Sequence, residues 1–166
     1  MSGINWGHIT CGNKLYDMTH LHKKTVILDI TGRELTLNFT FGFHVFTDEK
    51  GLGRSISHRG EERYFCINRY NESFTLVERI LKAISDDYVT SFVSKSKRRR
   101  YYHINQMDDF ILMEIRAPQG KINTLNLNVV TAYTIDTWSD KSKLVKGKNL
   151  RFSYVLEMRM NGKHNI

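Results

Sequence analysis

The sequence predicts an α+β fold, a single domain over residues 1–166 that is mainly antiparallel β-sheet with one amphipathic helix. Several segments alternate strictly between apolar and polar residues, as half-buried antiparallel strands do. One segment instead repeats apolar residues at three- and four-residue spacing, which is the helical period. A chain of 166 residues is also long enough to bury one core and too short for two ordinary domains.

The residues that precede the helix are predicted to form strands. A polar N-terminal segment, 1–24, leads into a short strand over 25–30, and residues 64–67 suggest another strand. Between these strands lies the longest alternating run, whose apolar side holds Leu35, Leu37, Phe39, Phe41, Phe43 and Val45. His44 lies on the opposite, polar side, and the Gly51–Gly53 segment then predicts a loop.

The helix is predicted to begin near Phe74, with Asn71 or Ser73 as its N-cap. Its apolar residues share one face, and they are Phe74, Val77, Ile80, Leu81 and Ile84. Glu78, Arg79 and Lys82 take the other face. The helix is therefore expected to pack across the sheet.

The second half of the chain is predicted to be strands joined by polar turns. The predicted strands cover 88–93, 101–104, 110–117, 125–135 and 150–160, and the last three of these segments alternate between apolar and polar residues. The first two would form a hairpin, and a charged connector over 139–149 precedes the last. Alternation from Leu150 to Met160 favours a terminal strand over a helix.

Charge predicts an acidic partner. Lys and Arg number 25 against 17 Asp and Glu, which gives a net charge of +8. Nucleic acid, an anionic membrane and an acidic protein would all suit such a chain. No apolar run reaches the ~18 residues of a membrane span, and two cysteines imply no disulfide framework. A cytoplasmic protein with no membrane partner is therefore expected.

A basic and aromatic run indicates nucleic acid among these partners. The cations are Lys95, Lys97, Arg98, Arg99 and Arg100, and Tyr101 and Tyr102 follow directly. Cations neutralise phosphates, whereas aromatic faces stack on unpaired bases, which favours RNA over DNA. The alternative is a solvated hairpin turn whose charges keep a sheet edge soluble.

Two histidines are candidate catalytic residues. His44 lies on a polar strand face with Asp48 nearby, and His103 follows the basic run. Metal-free RNA cleavage needs a general base, a general acid and a cation, here one of Arg63, Arg69 or Arg100. An ordinary surface histidine is the alternative at His44.

Metal and cofactor sites are not favoured. Four N-terminal residues could ligate zinc, namely His8, Cys11, His20 and His22. They contain no Cys-x-x-Cys pair, so scattered surface histidines are the better interpretation. The phosphate-binding loop, the dinucleotide fingerprint, the serine-hydrolase elbow and the His-Glu-x-x-His motif are all missing from the sequence. No metal and no cofactor are expected.

The stretch from Arg63 to Asp136 resembles a known group of enzymes. The matching segments are Arg63-Tyr64-Phe65-Cys66, Arg69-Tyr70, Ser73 before the helix, Tyr101-Tyr102-His103, Phe110 to Arg116, and Leu125 to Tyr133. A helix followed by an antiparallel sheet whose last strand contains Val-Thr-Ala-Tyr is similar to the barnase, EndoU, colicin and RelE-like ribonuclease toxins. The pattern also resembles one found in small phage and prophage proteins. The resemblance implies metal-free endoribonuclease chemistry by His103, Thr131, Tyr133 and Arg69.

Alternation conflicts with part of that resemblance. It puts Thr131 and Tyr133 on the same strand face as Leu125, Leu127 and Val129, which should be core. The two residues could reach a cleft only near the end of the strand or after a bulge. A buried threonine and a core tyrosine are the alternative.

The leading functional prediction is a phage-type cytoplasmic protein that binds nucleic acid, with metal-free endoribonuclease activity if it is an enzyme. One alternative is a non-catalytic host-takeover or antidefence protein that binds an acidic host protein or inhibitor through the same cations. Another alternative is a small phage structural protein.

Overall fold

The computed structural model describes residues 4–106, 109–134 and 146–166. Its strands are β1 (Ile9–Cys11), β2 (Lys14–Tyr16), β3 (Lys24–Ile30), β4 (Arg33–His44), β5 (Thr47–Asp48), β6 (Ser55–His58), β7 (Glu61–Phe65), β8 (Tyr88–Val93), β9 (Arg100–Gln106), β10 (Asp109–Arg116), β11 (Thr124–Thr134) and β12 (Lys148–Arg151). Its α-helices are α1 (Ile67–Ser73), α2 (Leu76–Asp86) and α3 (Phe152–Met160), and a 3₁₀ turn covers Thr19–Leu21.

Seven of the strands form one sheet in the order β12-β8-β9-β10-β11-β4-β3. The pair β11 and β4 is parallel, and the other pairs in this sheet are antiparallel. Strands β5, β7 and β6 form a small second sheet beyond the end of β4. The predicted α+β class with a mainly antiparallel sheet is therefore confirmed.

The core lies on one face of the large sheet, under α2 and α3. Every second residue of β4 is buried there, as the alternation predicts. The N-terminal segment also contributes, since the buried side chains of Tyr16, Met18 and Leu21 join this core. Residues 1–24 are therefore more than a polar extension, because part of this segment packs against the sheet.

The amphipathic helix is confirmed as α2, but its start differs from the prediction. Residues 67–73 are themselves helical, so Asn71 and Ser73 lie inside α1 and cap nothing. The hydroxyl of Ser73 donates to the carbonyl of Tyr70 at 2.6 Å. A polar side chain such as that of Ser73 can bond a carbonyl within its own helix instead of capping the next one. The sequence alone does not distinguish these two roles.

The predicted terminal strand over 150–160 is wrong, because residues 152–160 form α3. The buried residues of that segment, Phe152, Val155, Leu156 and Arg159, are spaced three and four apart, which is the helical period. An alternating pattern runs through the same residues, so periodicity alone favoured the wrong element. The segment forms a helix because its buried residues then pack against α2 and β11. Only Lys148–Arg151, at the end of the predicted connector, extends the sheet as a strand.

A bulge in β11 reverses the faces of its last residues. Between Val129 and Thr131, β11 has one residue more than β10 opposite it and one fewer than β4, after which Ala132 joins the core. Thr131 and Tyr133 therefore turn to the polar face of the sheet. Gly42 accommodates the bulge, because a Cβ there would lie 3.1 Å from the carbonyl oxygen of Val130.

The helices in the described part of the chain include none that is long and apolar enough to span a membrane.

Candidate nucleic-acid interface

A groove of about 310 Å³ lies over the polar face of β4 and β11. Its floor is a set of paired amides and hydroxyls on the two parallel strands. Asn38 donates to the Oδ1 of Asn126 at 3.1 Å, and Thr40 donates to the Oδ1 of Asn128 at 3.0 Å. These pairs occupy only part of each amide, so hydrogen-bonding groups remain for a ligand.

Positive charge surrounds the groove from four separate parts of the chain. The cations that line it are Lys23, Arg59, Lys97, Arg99 and Arg116. Glu61 and Glu114 are the acids among the lining residues. Cations thus outnumber acids along the groove, which attracts anionic ligands.

One wall of the groove is the tip of the β6–β7 hairpin. His58 ends β6, and Arg59 and Gly60 form the turn with φ of 51° and 80°. A two-residue turn of this kind suits Asn-Gly, so an arginine there holds a strained backbone. Trp6 extends the same wall, since its ring packs 4.9 Å from that of His58 and its indole donates to the carbonyl of Phe41.

His44 and Glu61 form a hydrogen-bonded pair at the edge of the groove. His44 Nε2 lies 2.8 Å from Glu61 Oε1, with the two side chains 35% and 48% exposed. Partial burial acts to raise the pKa of Glu61, but the hydrogen bond and charge of His44, together with Arg63, outweigh it and lower that pKa. An ionised carboxylate only accepts hydrogen bonds, so Nε2 of His44 donates to Glu61, and Nδ1 is the ring nitrogen that this pair leaves for a ligand.

Asp48, the nearest carboxylate to His44 in sequence, is not its partner. Asp48 is buried and accepts from the backbone N–H of Lys50 at 3.0 Å. Glu61 takes the role because β7 belongs to the second sheet, which folds back beside the end of β4. No local pattern in the sequence indicates this pairing.

Three of the residues predicted as catalytic brace His44 from behind. Arg69 donates to the carbonyl oxygen of His44 at 2.9 Å, and the Thr131 hydroxyl lies 3.5 Å from the same oxygen. The guanidinium of Arg69 also stacks on Tyr133, 4.6 Å from the ring centre. These residues are thus brought together, but they do not line the groove.

His103 occupies the same cross-strand row as His44 but a different environment. The register runs from His103 to Leu112, then Thr131, then His44, so three strand spacings separate the two histidines, about 14 Å. His103 is 1% exposed, and its ring lies 4.4 Å from that of Phe110. Burial lowers the pKa of His103 to about 4, so this imidazole is neutral near pH 7.

The basic run divides between the two faces of β9 and the turn before it. Lys97, Arg99 and Tyr101 border the groove, whereas Arg100 and Tyr102 point to a second cavity. Lys95 and Arg98 are exposed in the turn. The alternation of β9 explains why Tyr101 and Tyr102 point to opposite faces, whereas Arg99, just before the strand, borders both spaces.

Neither tyrosine of the run is freely available for stacking. Tyr101 is 4% exposed and stacks on Phe92 with 5.8 Å between ring centres. Tyr102 is 1% exposed, and its hydroxyl donates to the main-chain oxygen of Ile166 at 3.1 Å. The predicted stacking contacts would need these rings to move.

The N-terminal histidines contact groups other than a metal ligand set. His20 Nε2 pairs with the Ser73 hydroxyl at 2.7 Å, and His22 Nε2 with the carbonyl of Trp6 at 3.0 Å. Across the described ranges, no three His, Cys, Asp or Glu side chains gather as a metal site.

Several residues of the groove were missed in the sequence. Asn126 and Asn128 looked merely solvent-facing, and His58 and Arg59 belong to a turn that no motif marks. The dipeptide Arg59-Gly60 between Ile56 and Tyr64 is the one local signal that could have indicated a hairpin tip. His58 and Arg59 come close to His44 only because the second sheet packs beside the end of β4.

Fold and site define an α+β protein with a cation-lined groove on the open face of a mixed sheet. The chain belongs to the YjaZ family, whose model matches residues 8–160. No curated protein matches the chain, and neither does a solved structure. The family name specifies no activity or ligand, so the likeness to ribonuclease toxins stays a prediction.

Proposed function

We propose that the groove binds single-stranded RNA and that the protein cleaves this RNA without a metal ion. The observation that carries the proposal is the meeting of five cations with the His44–Glu61 pair around one groove. Phosphates need the cations, and strand scission needs a proton acceptor beside them.

Binding is attributed to two kinds of contact. Lys97 and Arg99 on one side and Arg59 on the other would neutralise phosphates of a strand lying along the groove. Asn126 and Asn128 on the floor would hydrogen-bond to base edges, which only an unpaired strand exposes there. A strand that contacts the cations with its phosphates and the asparagines with its base edges must be unpaired, so a single strand fits the groove better than a duplex.

Cleavage is attributed to His44, His58 and Arg59. His44 Nδ1 would take the proton of the 2′-hydroxyl, whose oxygen then attacks the adjacent phosphorus. The bond from phosphorus to the 5′-oxygen breaks, and protonated His58 would supply the proton to that leaving oxygen. Arg59 would stabilise the negative charge that develops on the phosphate oxygens. The products are a 2′,3′-cyclic phosphate and a 5′-hydroxyl, and no cofactor is consumed.

In this assignment His58 replaces His103 as the second histidine. His58 lines the groove with His44, while His103 is buried about 14 Å away along the sheet. Arg69 and Thr131 then hold the end of β4 that carries His44, Tyr133 packs against Arg69, and His103 lies apart from these three residues. Their direct participation in catalysis stays a prediction.

The test is incubation with end-labelled single-stranded RNA in EDTA and in magnesium, read on denaturing gels. His44→Ala and His58→Ala should each lower the cleavage rate at least about 100-fold. The control is His8→Ala, since the His8 side chain is exposed and lies outside the groove. Unchanged cleavage in both groove variants, or cleavage that needs magnesium, would contradict the mechanism.

Binding is measured separately on a strand that cannot be cleaved, such as 2′-O-methyl RNA. The double variant Lys97→Gln/Arg99→Gln should lower affinity and make the slope of log K against log salt shallower by roughly 1.4. Lys82→Gln, an exposed position on α2, is the matched control. Equal losses of RNA affinity in the control and the double variant would show that RNA is attracted by the overall charge of the protein and not by the groove.

The two alternative functions predict different outcomes of the same assays. An acidic protein partner would be captured through Arg98, Arg99 and Arg100 without any RNA binding. A particle protein would self-associate. Both stay predictions.

A further inference from the structure

A second cavity, of about 240 Å³, lies where β9, β10 and the end of α3 meet. We call it the arginine cavity. The charged and titratable residues that line it are Arg99, Arg100, Arg116, Arg159, Glu114, His164 and Tyr102. Four guanidinium groups thus surround one small space.

The single carboxylate among the lining residues does not balance these charges. Glu114 pairs with Arg116 at 2.8 Å and more loosely with Arg99 at 3.8 Å. Arg100 donates to the hydroxyl of Ser91 instead. Arg159 donates to neutral groups, chiefly the carbonyl of Ile115 at 2.7 Å.

Arg159 is the most deeply held of the four arginines. It is 9% exposed, and its Nε has no hydrogen-bond partner within the described parts of the chain. Burial lowers the pKa of Arg159; Tyr102 acts to raise it, but burial together with the charges of Arg100 and Arg116 outweighs that effect. Like charges gathered in a partly desolvated space are unfavourable, and an anion between them would relieve this repulsion.

We infer that the arginine cavity binds a phosphate group. Guanidinium groups match the oxygens of a phosphate with two parallel hydrogen bonds, and several arginines can share one phosphate. A water molecule in the liquid takes up about 30 Å³, so a cavity of about 240 Å³ has the volume of several water molecules. A phosphate group with its ester carbon fits within that volume.

The phosphate could come from two sources with the same chemistry. Arg99 and Arg116 border both the groove and the arginine cavity, so a strand in the groove could place its terminal phosphate there. Alternatively, the cavity takes free phosphate or a mononucleotide. The inference does not depend on the proposed function, because the cavity is separately lined by Arg100, Arg159 and His164.

The test is isothermal titration of the full chain with inorganic phosphate and with a 5′-mononucleotide, against chloride at matched ionic strength. Arg100→Gln should weaken phosphate binding at least tenfold. Arg100→Lys keeps the charge and loses the paired hydrogen bonds, so it should lie between wild type and Arg100→Gln. Arg151→Gln is the control, since Arg151 is exposed and lies outside the cavity.

A parallel titration compares uncleavable oligonucleotides with and without a terminal phosphate. Binding of free phosphate that depends on Arg100 supports a small-anion site, and a gain confined to phosphorylated oligonucleotides supports a strand-end site. Arg59→Gln should weaken the binding of both oligonucleotides by the same factor, but the gain from the terminal phosphate and the binding of free phosphate should not change, because Arg59 does not line the arginine cavity. The inference is overturned if phosphate binds no better than chloride and the terminal phosphate adds nothing, or if Arg151→Gln weakens binding as much as Arg100→Gln.

Discussion

The imidazole of His44 lies 2.8 Å from the carboxylate of Glu61, although the two residues belong to different sheets. Arg63 lies 3.6 Å from the same carboxylate oxygen, and its charge helps to lower the pKa of Glu61. The pair therefore exists only because the small sheet folds against the end of β4. A histidine with a fixed tautomer follows from that contact.

Removing the charge of Glu61 should separate catalysis from binding. Glu61→Gln is expected to lower the RNA cleavage rate about 10- to 100-fold, because His44 loses the carboxylate that orients and stabilises its protonated ring. Affinity for uncleavable RNA should change by less than about twofold, and any change should be a gain because a negative charge is removed from the groove. Glu62→Gln is the matched control, since Glu62 pairs with Ser55. Equal effects of the two substitutions on cleavage rate would argue against the pair.

The strained turn at Arg59 predicts opposite changes in stability and binding. Arg59→Asn should raise the free energy of unfolding by about 0.5–1 kcal/mol, because asparagine tolerates the φ of 51° better. The same change should weaken RNA binding several-fold through loss of a cation. Chemical denaturation and fluorescence anisotropy measure the two effects.

Thr31→Asn supplies the control for that experiment. Thr31 has a φ of 52° in the β3–β4 turn and does not line the groove. Stability should rise in this variant while RNA affinity stays constant. A loss of stability in Arg59→Asn, or a loss of affinity in both variants, would refute the assignment.

The bulge in β11 depends on the absence of a side chain at position 42. Gly42→Ala would place a Cβ 3.1 Å and 3.2 Å from the carbonyl oxygens of Val130 and Val129. We expect a loss of about 1–3 kcal/mol in the free energy of unfolding, because backbone atoms have to move. Gly7→Ala is the control, because nothing lies within 4 Å of its added Cβ. Similar urea midpoints for the two variants would contradict this account.

The buried His103 predicts a loss of stability in acid. Its pKa falls from 6.5 to about 4 on folding, so between these values the unfolded chain binds a proton that the folded chain does not. This contribution to stability is present above about pH 6.5 and is lost as the pH falls towards 4.

His103→Leu should remove this contribution. The difference in free energy of unfolding, variant minus wild type, should therefore increase by on the order of 3 kcal/mol as the pH falls from 7 to 4. Urea denaturation at several pH values measures the difference. Parallel curves for the two proteins would show that the buried ring does not titrate in this way.

Strands with one buried face could be predicted well from the sequence. In β4 each apolar side chain points to the core, so alternation identified both the strand and its buried side. The same reasoning failed at Phe152–Met160, where residues spaced for a strand also contain the three- and four-residue spacing of a helix. Only the packing of that segment against α2 distinguishes the two possibilities.

The faces of Thr131 and Tyr133 show the same limit. Strict alternation placed them in the core, whereas the bulge opposite Gly42 turns them to the polar face. A bulge adds one residue to one strand, and a single sequence does not mark which strand takes it.

The sequence by itself determined the fold class, the buried side of the long strands, and the local cluster of cations before Tyr101. These properties depend on composition and on near neighbours along the chain. The tertiary structure alone decided that His44 meets Glu61, that Arg59, Lys97 and Arg99 line one groove, and that His103 is buried. Such contacts join residues far apart in the chain, and their geometry depends on strand register and on how the two sheets pack.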